Sequence, residues 1–368
     1  PVRVEPLALL AGELEITNCY AFTDLSGLEA AWTLVADGEV LQSGLLPWLN
    51  TPPGGREVVS VPFERPTGLM AGVDVWLTLS FRLAADTSWA EAGHEVAWAQ
   101  FRVPFDGGEA PVMLPAAGVP IQVDESAERV RVSGGELEAS FDRATGIICS
   151  LRHRGVELVE RGPRLAVWRA PTDNDLGQPW SAQSAASWRK AGLDRLEHTL
   201  RHFDVTWAEP STVQVAVGSW VAARGQEQGF EVEMITTLRS DGSVLIDTKV
   251  TPQGELPPLP RLGLQMALPG RFERFTWYGR GPHETYPDRK VGAQVGIFNS
   301  TVTEQYVPYI VPQENGNKTD VRWAALTDEA GLGLLVVAGP TEEGASQWLN
   351  VSALHYTPED LTCAQHTH

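Results

Sequence analysis

Turn-forming residues recur along the whole chain and leave little room for long helices. The 368 residues include 35 glycines and 26 prolines, and short runs of alternating apolar and polar residues lie between them. Such alternation is typical of strands that bury one face, because successive side chains of a strand point to opposite faces. The sequence therefore predicts an all-β protein with almost no helix.

The first 106 residues carry short runs of this kind at regular spacing. The clearest lie at residues 14–17, 32–35, 40–41, 58–61, 75–79 and 97–101. Asp37 and Gly38 separate two of these runs, and an Asp-Gly pair tolerates the positive φ of a tight hairpin turn. About seven short strands in this length are typical of an immunoglobulin-like sandwich. A fibronectin-like variant is favoured, since no Cys…Trp…Cys pattern is present.

A Gly/Pro-rich stretch at residues 107–119 is interpreted as a linker, and the strand pattern resumes after it. Hairpins are predicted over 129–141 and 232–250, and a strand buried on both faces is predicted over 334–338. Convincing helical character is confined to residues 184–195, where Gly192 interrupts it. Residues 120–368 are therefore interpreted as one large β-structure.

Charge and cysteine content bear on the class of protein. The formal net charge is −19, which argues against binding to nucleic acid or to an anionic membrane, because both need clustered Lys and Arg. Cys19, Cys149 and Cys363 lie far apart, which favours reduced thiols in a cytoplasmic protein over a disulfide scaffold or zinc site. No apolar run is long enough to span a bilayer. The first residues lack a leader pattern and an initiator Met, and we expect a cut inside a longer chain.

Two carboxylates and an amide lie close together in residues 168–177. In an extended backbone Asp173 and Asp175 would share a face, and with Asn174 they could bind sugar hydroxyls or a hard cation. The spacing does not match an EF-hand loop. A structural turn after Pro171, with side chains capping local backbone, is the alternative.

Residues 277–290 and 306–320 are rich in aromatic and polar side chains. Rings beside carboxylates and Arg suit sugar binding, and long ordered loops are the alternative. Glu284 and Glu314 are one candidate for the carboxyl pair that a retaining glycosidase needs, but nothing in the sequence places them together. No serine nucleophile elbow, metal-binding His pair or phosphate loop is present.

Several segments resemble the C-terminal half of the LacZ-type β-galactosidases of glycoside hydrolase family 2. I-T-N-C-Y-A-F-T-D-L (16–25), A-D-G-E-V-L-Q-S-G (36–44) and S-W-A-E-A-G-H-E-V-A-W-A-Q-F (88–101) are similar to their second immunoglobulin-like domain. The small-chain region of the family is resembled by three further segments: W-R-A-P-T-D-N-D-L-G (168–177), W-Y-G-R-G-P-H-E-T-Y-P-D-R-K (277–290) and Y-V-P-Y-I-V-P-Q-E-N-G-N-K-T-D-V-R-W (306–323).

This resemblance implies an immunoglobulin-like sandwich over 1–106 and a galactose-mutarotase-like β super-sandwich over 120–368. The family's two catalytic glutamates and its magnesium ligands lie on a (β/α)₈ barrel that precedes this region, so neither a catalytic nor a metal-binding residue carries over. No cofactor is expected in this chain, whereas magnesium and sodium are expected in the whole enzyme. The family's sugar-stacking tryptophan and its last strands come after the position of His368, and we expect them to be missing.

The residues that the resemblance places near the substrate are Asp173, Asn174, Asp175 and Gly177, followed by a loop over 177–187 that we expect to be mobile. The implied role is that of a non-catalytic part of a retaining β-galactosidase that acts on β-galactosides such as lactose. Its expected partners are the rest of the enzyme chain with the barrel, the galactoside, and further copies in a homo-oligomer. A free-standing carbohydrate-binding module is the main alternative. An independent mutarotase is less favoured, because His283 and Glu284 would point to opposite faces of a strand.

Overall fold

Strands dominate the structure, with 50% of the residues in strands and 7% in helices. The computed structural model describes residues 1–105, 119–177, 184–339 and 348–366. All of its strand pairs with a defined register are antiparallel. The all-β prediction is therefore confirmed.

The described residues form two compact units. The first falls within Pro1–Met113, Tyr278–Pro282 and Val291–Phe298, and the second within Leu114–Trp277, His283–Lys290 and Asn299–His368. The sequence-based boundaries at 106 and 120 remain predictions.

The first unit has two antiparallel sheets, with strand orders β1-β2-β5 and β4-β3-β6-β7. Its strands in residues 1–105 are β1 (Val2–Ala8), β2 (Glu13–Asn18), β3 (Leu28–Ala36), β4 (Glu39–Leu45), β5 (Arg56–Ser60), β6 (Val75–Leu83) and β7 (Glu95–Arg102). Leu14 and Ile16 from one sheet and Leu34 and Leu77 from the other are fully buried in a shared core. The prediction of about seven strands is confirmed.

The hairpin predicted around Asp37 and Gly38 is present between β3 and β4. Both residues have positive φ, 44° for Asp37 and 89° for Gly38. A two-residue turn with positive φ at both positions matches the twist of the flanking strands, and this explains why an Asp-Gly pair stands here.

The second unit is built from a five-stranded sheet (β12-β11-β10-β9-β8), a four-stranded sheet (β14-β15-β16-β17), two strand pairs (β13-β18 and β21-β24) and strands of a further four-stranded sheet of order β20-β19-β22-β23. The strands are β8 (Gln122–Glu125), β9 (Arg129–Gly134), β10 (Leu137–Asp142), β11 (Ile148–His153), β12 (Val156–Val159), β13 (Arg161–Ala166), β14 (Leu196–Glu209), β15 (Thr212–Ala223), β16 (Gly229–Arg239), β17 (Val244–Gln253), β18 (Gly263–Ala267), β19 (Arg274–Gly281), β20 (Gln294–Thr301), β21 (Lys318–Val321), β22 (Trp323–Thr327), β23 (Gly333–Val337) and β24 (Leu349–Val351). Strand β19 and most of β20 contribute residues to the first unit as well. The hairpins predicted over 129–141 and 232–250 correspond to β9–β10 and β16–β17.

Three short α-helices accompany these strands: α1 (Asp173–Leu176), α2 (Ser184–Lys190) and α3 (Pro358–Cys363). Single turns of 3-10 helix lie at Leu9–Ala11 and Thr303–Gln305. The helix predicted over 184–195 ends at Lys190, because Gly192 adopts a positive φ of 75° and β14 begins soon after it. No helix in the described ranges is long and apolar enough to cross a membrane.

The prediction for residues 334–338 is wrong in one respect. The strand exists as β23, but Leu335 and Val337 are each 60% exposed instead of buried. Strand β23 lies at the edge of its sheet, where β22 is its neighbour. An apolar run cannot by itself distinguish a buried central strand from an exposed edge strand.

Two further predictions fall largely on parts of the chain that the structure does not describe. The linker at 107–119 lies outside the described residues except for Val119, and the loop at 177–187 does so for residues 178–183. Residues 184–187 belong to α2. The mobility of the loop remains a prediction.

Candidate functional site

The turn that carries Asp173, Asn174 and Asp175 is a single helical turn, α1, and not an extended segment. Asp175 is the third residue of α1 and bonds back to its N-cap, Thr172. The Thr172 backbone N–H and hydroxyl each donate to Oδ2 of Asp175 at 2.8 Å. Asp173 and Asp175 therefore do not share a face: Asp173 is exposed and Asp175 is buried.

Arg169 holds Asp175 with a two-pronged ion pair. Its Nη1 lies 2.6 Å from Oδ2 of Asp175 and its Nη2 lies 2.9 Å from Oδ1. Burial works to raise the pKa of Asp175, but the bonds from Arg169 and Thr172 outweigh it and lower that pKa below its usual range. Both oxygens of Asp175 are occupied within the protein, which makes Asp175 a structural residue of the turn.

The side chains left for an outside ligand are those of Asp173 and Asn174, which are exposed. A carboxylate accepts hydrogen bonds, and an amide both donates and accepts them, so the pair can contact hydroxyl groups of either polarity. Gly177 ends the turn with φ 86°. Of the four residues predicted near the substrate, two are presented outward, Asp175 holds them in place, and Gly177 closes the turn.

Two buried tryptophans form the base of this turn. Trp168 and Trp188 are each 5% exposed, and their rings meet edge to face with centroids 6.2 Å apart. The Trp188 indole N–H donates to the carbonyl of Pro258 at 2.9 Å, and the Trp168 indole N–H donates to the hydroxyl of Thr362 at 3.0 Å. The turn is thus connected to α2, to α3 and to the loop before β18.

Glu314 connects the same turn to the segment at 306–320. Its backbone N–H donates to the carbonyl of Ala170 at 3.3 Å, and its carboxylate pairs with Arg261. The side chain is 5% exposed. Burial raises the pKa of Glu314, although the positive charges of Arg261 and Arg169 oppose this shift.

Glu284 joins the segments 277–290 and 306–320. Its Oε1 accepts hydrogen bonds from the Tyr309 hydroxyl and from Arg289, and its Oε2 accepts one from the Gly316 backbone N–H at 2.8 Å. The Arg289 guanidinium lies over the Tyr286 ring, 5.2 Å from its centroid. The carboxylate is 10% exposed and is held from three sides.

Further buried hydrogen bonds connect the segments 277–290 and 306–320. The Thr285 N–H donates to the Asn317 carbonyl at 2.7 Å, and the Asn317 amide donates back to the Thr285 carbonyl at 2.8 Å. The Thr319 N–H and hydroxyl each contact the Thr285 hydroxyl oxygen at 2.9 Å. The segments 168–177, 277–290 and 306–320, which are distant in sequence, thus form one polar network.

The sequence could not place Glu284 and Glu314 together. In this network the negative charges of both act on the same side chain, that of Tyr286. Burial raises the pKa of Tyr286, and the negative charges of Glu314 and Glu284 raise it further. Each glutamate is paired with an arginine and mostly buried. A retaining glycosidase needs one carboxylate free to attack the sugar and a second carboxyl that delivers a proton. The contacts of Glu284 and Glu314 fit residues that stabilise the fold.

The described residues do not fit a metal centre. Within the described ranges, no group of three or more His, Cys, Asp and Glu side chains is arranged to hold an ion. In the turn at 172–177, the carboxylate of Asp175 is already bound by Arg169 and Thr172. The alternative that Asp173 and Asp175 bind a hard cation together therefore has no support from the geometry.

Two contributors to the network were not singled out from the sequence. Arg261 lies in a Pro-rich stretch without any motif, and its partner Glu314 is 53 positions away. Lys318 is buried, with only 2% of it exposed, although lysine is rarely a buried residue. The only local signal was that Lys318 stands within a run of small polar residues before an apolar strand.

Comparison with known proteins agrees with this organisation. A family model described as "Beta galactosidase small chain" matches residues 133–368, and one described as "Beta-galactosidase, domain 4" matches residues 14–104. A beta-galactosidase of Priestia megaterium is 33% identical over 366 residues, which are 100% of this chain and 34% of that protein. Beta-galactosidases of Arthrobacter sp. (31% identical, 96% of this chain, 35% of the relative) and Aeromonas hydrophila (30%, 84% and 30%) are similar as well.

This chain spans about a third of the length of the curated relatives that it matches. One family model covers the domain-4 region and the other covers well over half of the chain, and the Priestia megaterium relative matches it from end to end. The chain belongs to the beta galactosidase small chain family.

Proposed function

We propose that this chain is the non-catalytic C-terminal part of a retaining β-galactosidase of glycoside hydrolase family 2, which releases terminal β-D-galactose from β-galactosides such as lactose. The observation that carries the proposal is the turn at 172–177. It presents Asp173 and Asn174 to solvent, while every oxygen of Asp175 is used to fix the turn. The relatives are about three times as long as this chain, and their name, beta-galactosidase, supports the substrate class.

The bond cleavage itself is assigned to a part of the enzyme outside these 368 residues. Retaining hydrolysis requires two carboxyl groups about 5 Å apart on either side of one glycosidic bond. Glu284 and Glu314 are held by arginines and by backbone, and this supports the assignment of both catalytic glutamates to the barrel. This chain contributes a wall of the pocket, which binds and orients the sugar.

Kinetics of turn variants test the role of the pocket wall. The suitable protein is a grafted enzyme, in which residues 1–368 replace the matched stretch of the Priestia megaterium beta-galactosidase. Asp173→Ala and Asn174→Ala should each raise KM for a β-galactoside by about 5- to 150-fold, since a lost hydrogen bond to a hydroxyl costs about 1–3 kcal/mol. Asp86→Ala, a change in the first unit, is the control. Unchanged KM in both turn variants would remove the turn from the sugar site.

Cofactor, assembly and location follow from the same proposal. Magnesium and sodium are assigned to the rest of the enzyme, because the described residues of this chain have no cluster suited to them. The barrel-bearing part of the enzyme is the main partner, and the assembled enzyme is a homo-oligomer in the cytoplasm. Three free cysteines suit a reducing compartment, and a net charge of −19 disfavours nucleic acid and anionic membranes as partners.

A free-standing carbohydrate-binding module is the second candidate. It is favoured by exposed tryptophans, of which Trp89 is 63% exposed and Trp48 is 56% exposed, since such rings can stack on sugars. Calorimetric titration of the isolated chain with galactose and with lactose separates the two functions. A binding module takes up sugar unaided, whereas a pocket wall that needs the barrel shows no saturable uptake.

A further inference from the structure

The guanidinium of Arg169 makes three contacts, and all of them are with other groups of this chain. It forms the two-pronged pair with Asp175, its Nε donates to the carbonyl of Pro260 at 3.3 Å, and its Cζ lies over the Trp188 ring, 5.1 Å from the centroid. The Arg169 side chain is 21% exposed and the Asp175 side chain is 11% exposed. Such a planar contact fixes orientation as well as distance.

The residues of α1 itself provide few other contacts that hold the helix in place. Helix α1 has four residues, which is far too short to be stable by itself. Leu176 is 50% exposed, so it adds little burial, and Asp173 and Asn174 face solvent. Asp175 is the one buried residue of α1. The position of α1 therefore depends on what holds Asp175.

We propose that Arg169 and Asp175 are positioning residues of the sugar site, which set where Asp173 and Asn174 meet the galactoside without touching it themselves. This inference rests on the proposed function of the turn. Arg169 is the centre of the arrangement, because it joins α1 to Trp188 of α2 and to the loop before β18. A shift of about 1 Å in groups that orient a substrate can cost about 100-fold in rate, so a small displacement of the turn should be measurable in turnover.

Two substitutions separate the shape of this contact from its charge. Asp175→Asn keeps the size of the side chain but turns one of its two acceptors into a donor that faces Arg169. Arg169→Lys keeps the positive charge but loses the planar fork. If the contact positions the turn, lysine does not rescue it, whereas a simple attraction between charges would survive in the lysine variant.

Kinetics of the grafted enzyme provide the first readout. Both variants should lower kcat/KM by about 10- to 100-fold, with at least part of the loss in KM. The matched control is Val215→Ala, a fully buried core residue in the same unit, which lowers stability without touching the turn. The proposal is overturned if Asp175→Asn and Arg169→Lys keep kcat/KM within twofold, or if Val215→Ala at an equal loss of Tm reproduces their kinetic loss.

Amide hydrogen exchange of the isolated chain provides a second readout that needs no activity. Residues 173–177 should exchange at least about tenfold faster in Asp175→Asn and Arg169→Lys, because their protection depends on the anchored turn. Val215→Ala should leave this segment unchanged. Unchanged exchange in the two turn variants also overturns the proposal.

The turn variants of the proposed function distinguish the two possible failures. If Asp173→Ala and Asn174→Ala leave KM unchanged, the sugar contact itself is wrong. If they raise KM while Asp175→Asn and Arg169→Lys do not, the sugar contact stands and the positioning role alone is wrong.

Discussion

The ammonium nitrogen of Lys318 lies 5.0 Å from the centroid of the Trp277 ring, with 2% of the lysine and 1% of the tryptophan exposed. The ring face attracts the cation, but it does not replace the lost water completely. Burial lowers the pKa of Lys318 to about 8, although the negative charge of Glu284 opposes the shift. The polar network thus contains one cation whose burial costs stability.

Replacing Lys318 by methionine should therefore stabilise the chain at pH 7, by about 1–3 kcal/mol after the lost attraction to Trp277 is subtracted. Between pH 8 and 10.5 the unfolded chain holds a proton that the folded chain has released, so the stability of the native protein rises across this window. The advantage of Lys318→Met should shrink accordingly as pH approaches 10.5. Urea unfolding at several pH values measures it, and Lys249→Met, at an exposed position, is the control. A native protein more stable than Lys318→Met at pH 7 would contradict the account.

His198 should make the chain sensitive to mild acid. Its ring lines a cavity of about 30 Å³ together with Ser219 and Thr236, and burial, aided by the charge of Arg164, lowers its pKa below 6.5. Below pH 6.5 the unfolded chain takes up a proton that the folded chain resists, so stability falls as pH falls from about 7 to 5. His198→Gln should flatten this fall, and His202→Gln, at an exposed position, should not. An equal slope in native and His198→Gln proteins would show that another group is responsible.

Glu284 should be among the most sensitive positions of the network. Glu284→Gln removes the charge that Arg289 and the Tyr309 hydroxyl approach, at an expected cost of about 2–3 kcal/mol in the free energy of unfolding. Glu136→Gln offers a matched control, because Glu136 pairs with Arg154 at the surface and such pairs contribute about 0–1 kcal/mol. Chemical denaturation of both variants checks the difference. Equal losses would mean that the three contacts of Glu284 carry little stability.

Strand β23 should promote association of the isolated chain. Leu335 and Val337 are two positions apart, face the same way and are each 60% exposed at a sheet edge. Exposed apolar edges pair readily with other strands. Sedimentation at rising concentration should detect association of the native chain, and Leu335→Lys should reduce it, while Leu262→Lys, at an equally exposed position outside the strands, should not. A native chain that stays monomeric at high concentration argues against a sticky edge.

Local chemistry explains what the sequence could predict. The turn at Asp37 and Gly38 and the break at Gly192 depend on backbone conformations that few residues adopt, and both are found where expected. The exposure of Leu335 could not be predicted, because it depends on where β23 lies in its sheet. Of the two alternatives for the segment at 172–175, the structural turn with side chains capping local backbone is the one found, because the capping bonds between Thr172 and Asp175 make it helical. Contacts over long separations, such as Arg261 with Glu314, leave no pattern in the sequence.

We propose above all that this chain shapes a galactoside site but does not cleave the sugar itself. The most direct test is the rate of hydrolysis of a chromogenic β-galactoside by the 368-residue chain alone, by the Priestia megaterium enzyme without its matched stretch, and by the grafted enzyme. We expect turnover by the grafted enzyme and none by either part alone. Turnover by the isolated chain that disappears in Glu284→Gln or Glu314→Gln would contradict it.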